Sequence, residues 1–155
     1  MPGNRHMTPV GLRVLREPLG LTEDWLAAYL CVNRRTVRAW ERGHAPIPGS
    51  VRIAIEDLTQ RTAAFIAEYV QQLSRVPEPN IVTFHDDADF HLARWARRWS
   101  SHPTIPFPAS WHRAAVARIA RRVPRLTITY ADAKRVISTG SLAYIEDPES
   151  ASADN

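Results

Sequence analysis

Three helix starts and three helix stops fall between Thr8 and Pro46, and this crowding limits the fold more than any other feature of the chain. Thr8 followed by Pro9 reads as an N-cap with proline at the first helical position, where the missing N–H has no helical partner to lose. The apolar residues Val10, Leu12, Val14 and Leu15 follow, and Pro18 to Gly20 stop the helix. Thr22 caps a second helix with Leu26, Ala27 and Leu30 on one face. Asn33 caps a third, with Val37 and Trp40 inside and Gly43 and Pro46 at its end. Helices shorter than about 12 residues are marginal alone in water. These three must pack on one another as a small bundle.

Glu23 to Arg42 reads E-D-W-L-A-A-Y-L-C-V-N-R-R-T-V-R-A-W-E-R. Two short helices that cross steeply need a small residue at the contact, which Ala27 supplies. They need apolar residues to close the wedge, which Leu26, Leu30, Val32, Val37 and Trp40 supply, and a tight turn, which fits Cys31 to Asn33. The stretch resembles the Cro/repressor (XRE-like) class of helix-turn-helix regulators, including its W-E-x-G ending at Trp40, Glu41, Arg42 and Gly43. Cys31 departs from that class, which usually has glycine there. A left-handed backbone at that position costs a non-glycine residue about 1 kcal/mol.

With Val37 and Trp40 inside, Arg34, Arg35, Arg38 and Ala39 face outward. The resemblance implies base contacts from the start of the second helix and one turn on, at Arg34, Arg35 and Ala39. Arginine pairs bidentately with guanine O6 and N7, so a G·C-containing half-site is implied. Thr36, Arg38 and Arg42 suit phosphates, as does the N-terminal end of the preceding helix at Thr22 and Glu23. A formal charge of +4 over 155 residues favours polyanionic partners, nucleic acid before membrane. All 20 basic residues except Lys134 are arginine, which a GC-rich coding genome also explains.

A longer helix is expected from about Gly49 to Val76. Val51, Ile55, Leu58, Thr62, Phe65, Tyr69 and Val76, with Leu73 beside them, recur by threes and fours. That stripe packs either on its own domain or against a second subunit. Pro77 to Asn80 break the helix and mark a boundary. Beyond it come a strand at Ile81 to Phe84, a helix capped by Asp86 or Asp87 and carrying Phe90, Trp95 and Trp99, and a proline-rich loop from His102 to Pro108. A helix opened by Ser110 follows, with Ala115, Val116, Ile119 and Val123 on its apolar face, and Leu126 to Tyr130 alternate as a strand does. From about Ser138 the chain turns acidic, with Glu146, Asp147, Glu149 and Asp154, and is expected to fray. The fold class expected is mainly α. A Cro-type helix-turn-helix bundle occupies residues 8–76, a small α+β dimerisation domain 80–130, and a flexible acidic tail 138–155.

The order of elements in the second half resembles anti-CRISPR-associated autoregulators and their uncharacterised bacterial relatives. The matching features are an N-x-x-x-F strand, a short aromatic helix, a proline loop, then Trp111 at an alanine-rich helix. That resemblance implies a homodimer on an inverted repeat. Phe84, Phe90, Trp95, Trp99 and Trp111 are either core or a dimer interface. Arg118, Arg121, Arg122 and Arg125 form either a solvated face or a second phosphate-binding ridge. His85, Asp86, Asp87, Asp89 and His91 have metal-ligand chemistry but no accompanying cysteine or H-E-x-x-H, so surface caps and charges are expected, with no metal and no cofactor. No phosphate loop, nucleophile elbow or carboxylate pair is present, so no enzyme is expected.

One cysteine and no long apolar run point to a reducing compartment, the cytoplasm. The function expected is a DNA-binding transcriptional regulator, a homodimeric repressor or autoregulator whose partner is double-stranded DNA. An antitoxin-like protein that also neutralises a toxin, and a phage or plasmid interaction protein that grips protein or RNA, stand as alternatives.

Overall fold

The computed structural model describes residues 6–93, 96–100, 102 and 104–131. All three expected caps form. Thr8 Oγ1 accepts the N–H of Gly11 at 3.0 Å and starts α1 (Pro9–Arg16). A single 3-10 turn, Glu17–Leu19, leads to Gly20 in the left-handed region, at φ 68. Thr22 Oγ1 accepts the N–H of Trp25 at 3.1 Å and starts α2 (Glu23–Tyr29). Asn33 Oδ1 accepts the N–H of Arg35 at 2.8 Å and starts α3 (Arg34–Glu41). The face of α1 differs from expectation. Only Leu12 and Arg16 are buried, while Val10 and Val14 stand 69% and 57% exposed. A helix of eight residues that packs along one line buries only the i, i+4 pair on that line.

The long helix α4 runs Gly49–Leu73 and stops short of Val76, which is exposed. Val51, Ile55, Leu58, Thr62, Phe65, Ile66 and Leu73 are buried on it. That stripe meets α1 and α7 of the same chain, so α4 is a helix of the core. Beyond it lie β1 (Asn80–Thr83), α5 (Asp87–Leu92), α6 (Ala96–Trp99), α7 (Ala109–Ala120) and β2 (Thr127–Tyr130). β1 and β2 pair in parallel, with Asn80 opposite Thr127 and Thr83 opposite Tyr130. β1 buries Ile81 and Thr83, but all four residues of β2 are exposed. The mainly helical architecture with a small α+β part is therefore as expected.

The break at Pro77 to Asn80 ends α4 but does not divide the core. One cluster of buried apolar side chains runs from Leu12 through Leu26, Val37 and Phe65 to Trp111 and Ile119. Gly20 shows how closely the two halves meet. A Cβ placed on it would lie 2.3 Å from the carbonyl oxygen of Ser110, and Ser110 Oγ donates to the carbonyl of Gly20 at 2.6 Å. Only glycine fits both this φ and this distance. One apolar cluster thus takes in residues of both expected domains among the described residues. The acidic tail expected at 138–155 lies outside them.

Candidate nucleic-acid interface

The α2–α3 unit is held at its turn, its contact and its far end. Cys31 adopts φ 55, the left-handed conformation that the turn requires, so cysteine takes the glycine geometry at some cost in strain. Val32 N–H returns to the carbonyl of Ala27 at 2.9 Å and closes the turn. Leu26, Ala27, Val37 and Trp40 are buried where the helices meet. At the far end Glu41 receives Arg16 from α1 through two bonds, Nε to Oε1 at 2.6 Å and the second guanidinium nitrogen to Oε2 at 3.0 Å. Arg16 also donates to the carbonyl of Leu21 at 2.7 Å. Both side chains are less than a tenth exposed, so the pair fixes α1, the start of α2 and the end of α3 together.

Sequence reasoning recognised Glu41 in W-E-x-G and missed Arg16. The signal was present: Arg16 stands four positions after Leu12, so it shares the one buried line of α1. A cation there requires a buried anion as partner.

The residues expected at the DNA surface divide into two sets. Arg34 is tied to α2, with Nε 3.2 Å from Glu23 Oε2 and another guanidinium nitrogen 3.1 Å from Asp24 Oδ2. Arg38 Nε lies 2.7 Å from the same Glu23 oxygen. The hydrogen bond from Arg38, followed by that from Arg34, holds the Glu23 carboxyl below the usual carboxylate range despite partial burial. Glu23 is accordingly an anion that clamps two arginines, and its carboxylate repels phosphate. The phosphate contact expected at the N-terminal end of α2 therefore falls to the backbone of its first turn and not to the Glu23 carboxylate. Arg35 and Arg42 are exposed and enter no ion pair among the described residues. Thr22 is exposed, with its hydroxyl engaged as the cap of α2, while Thr36 and Ala39 are half-buried.

Three of the aromatic residues offered for a dimer interface are core instead. Phe84, Phe90 and Trp111 are buried within the chain. Trp111 Nε1 donates to Thr62 Oγ1 at 2.9 Å, and its ring stacks on Phe107 at 4.0 Å. Trp99 is half-buried with its ring edge-on to Phe65 at 5.2 Å, and Trp95 lies outside the described residues. Enough α-helical surface surrounds these rings to cover them, which composition alone did not reveal. The acidic and histidine stretch is likewise structural. Asp86 Oδ1 accepts the N–H of Asp89, Asp87 Oδ1 accepts the N–H of Ala109, and His91 Nε2 donates to the carbonyl of Phe107. Among the described residues no three metal-ligating side chains converge, and no helix is long and apolar enough to cross a membrane.

A tight pair of short helices, capped at both starts and presenting arginines along the second, defines the chain as a helix-turn-helix protein. Residues 7–104 match the model of the Aca2/YdiL-like family, and the chain belongs to that family of helix-turn-helix regulators. The match takes in α1 to α6 and ends in the proline loop, before α7 and β2. No curated protein matches the chain.

Proposed function

We propose that this protein is a homodimeric transcriptional repressor or autoregulator that reads an inverted repeat in double-stranded DNA through α3. The observation that carries this reading is the division of labour along α3. Arg34 and Arg38 are braced by Glu23, while Arg35, at the second position of the helix, and Arg42, just past its end, are exposed with no carboxylate partner among the described residues. A braced arginine is held in one orientation, and an exposed arginine near a helix start can reach base edges in the major groove. Occupying a promoter needs no chemistry, so the proposed action is non-enzymatic. One short recognition helix reads only a few base pairs, and a twofold pair adds the second half-site as an effectively intramolecular event.

Selection of bound duplex from a random library tests the reading, because it returns operator and half-site spacing together. An inverted repeat with centres about 10 bp apart is expected. On that operator Arg35→Ala should cost about 1–3 kcal/mol and relax one base position, whereas Arg42→Ala should weaken all sequences alike. No enriched sequence, or equal losses for both variants on operator and random DNA, would overturn base reading by α3.

A further inference from the structure

Ion pairs neutralise seven arginines of the described residues: Arg13, Arg16, Arg34, Arg38, Arg52, Arg61 and Arg98. Among the described residues none reaches Arg118, Arg121, Arg122 or Arg125, and all four of these are exposed. No Asp or Glu occurs between Ala109 and Ala131. Arg113, in the same stretch, spends its guanidinium on the carbonyls of Phe84 and His85 at 2.6 and 2.8 Å. A helix C-terminus attracts cations, which accounts for Arg118 in the last turn of α7 and Arg121 at its cap. It does not account for Arg122 and Arg125 beyond, and like charges three and four positions apart repel.

The backbone marks the same place. Cys31 and Arg125 are the two non-glycine residues with positive φ among those described, Arg125 at φ 62. The helix-turn-helix explains the first. The second is an arginine held where glycine is the unstrained residue, and such strain concentrates at functional positions.

We propose that the C-terminal end of α7 is a second phosphate-binding surface, which grips duplex DNA outside the half-site read by α3. This rests on the DNA-binding reading above. Ser110 pins the N-terminal end of α7 to Gly20, beside the cap of α2. The arginines begin eight residues further on, about 12 Å along the helix axis, and continue past the end of α7, so they meet phosphates beyond those that α2 and α3 reach. Duplex is the partner because single strands are held by aromatic stacking platforms, and no aromatic residue occurs between Ala117 and Leu126.

The test compares the full chain with a variant carrying Arg118→Gln, Arg121→Gln, Arg122→Gln and Arg125→Gly. Binding is read by fluorescence anisotropy on random-sequence duplexes of about 14 and about 40 bp, one shorter and one longer than a paired half-site footprint. On the long duplex the variant should lose about 0.9 in the slope of log K against log salt for each phosphate contact removed, about 3.6 for the four arginines of each protomer. On the short duplex the slope should be unchanged. Arg125→Gly alone relieves the left-handed strain, so its smaller slope loss comes with no loss of folding, as thermal melting will show. An unchanged slope on the long duplex, with Arg35-dependent binding intact, overturns the second surface alone. Binding by neither duplex in the unsubstituted chain overturns the DNA reading with it. Tighter binding to an RNA hairpin than to duplex, lost in the variant, overturns the DNA assignment.

Discussion

Trp25 Nε1 in α2 donates a 2.9 Å hydrogen bond to the carbonyl oxygen of Pro106, 81 positions later. The indole also stacks on Phe107, with ring centroids 5.8 Å apart, and Phe107 stacks on Trp111 of α7. A continuous run of aromatic rings therefore ties α2 to the second half of the chain. Unfolding should be one cooperative transition rather than two. Gly20→Ala attacks the same junction, since its Cβ would meet Ser110 and the backbone stays left-handed; it should cost about 3 kcal/mol. Trp25→Phe keeps the stack and orphans the Pro106 carbonyl, for about 1–2 kcal/mol. Denaturant melts read by circular dichroism measure both, and two separate midpoints in the unsubstituted chain would refute the single core.

The Arg16–Glu41 pair makes a sharper prediction because both partners are buried. Removing one leaves a desolvated charge without a counterion, so Arg16→Met should destabilise the chain by about 3–5 kcal/mol. Arg16→Met with Glu41→Leu removes both charges together and should recover most of that loss. A double variant as unstable as the single one would mean that the hydrogen bond from Arg16 to the Leu21 carbonyl, and not the ion pair, holds the bundle.

At Cys31 the backbone angle decides the sign of a substitution. Glycine relieves left-handed strain of about 1–2 kcal/mol and gives back part of it as unfolded-chain entropy. Cys31→Gly should therefore gain about 0.5 kcal/mol, while Cys31→Val, β-branched at φ 55, should lose at least about 1 kcal/mol. Equal midpoints for the two variants would show that the turn relaxes to another geometry.

Glu23→Gln releases Arg34 and Arg38 and removes a carboxylate from the edge proposed to face DNA. Random-sequence duplex should bind about 3–10 times tighter at moderate salt, and the selected operator should gain less, so discrimination narrows. A gain of equal size on both would mean that the clamp adjusts charge without orienting the arginines.

What was legible in the sequence was what is local. Thr8, Thr22 and Asn33 act within three residues of themselves, and the left-handed turn at Cys31 follows from its place between two short helices. Arg16 and Glu41 are 25 positions apart, so their pairing needed the crossing of α1 and α3 before it existed. Pro77 to Asn80 signalled a real end to α4, but a helix end is not a core boundary. The strand pair β1–β2 and the Trp25–Pro106 bond both close over tens of residues, and no spacing rule carries across that distance. Phe84, Phe90 and Trp111 were ambiguous for a simple reason: hydrophobicity says that a ring is covered, not by which chain.

His112 gives the chain a pH-dependent stability whose sign is fixed. The ring is fully buried in α7, with Nδ1 2.8 Å from Thr83 Oγ1 of β1. Burial, and then the charge of Arg113, lower its pKa to about 3. In the unfolded chain the ring titrates near about 6.5. Above that both states are neutral and His112 adds no pH dependence. Below it the unfolded state gains a proton that the folded state refuses, so stability falls with pH at about 1.4 kcal/mol per unit until the folded ring titrates. Lowering the pH from 7 to 5 should thus cost about 2 kcal/mol through this residue. His112→Phe keeps a ring in the same space and should flatten that slope, although orphaning Thr83 lowers stability at every pH. Urea midpoints for both proteins from pH 7 to 5 measure the difference, and parallel curves would show that His112 is protonated within the fold.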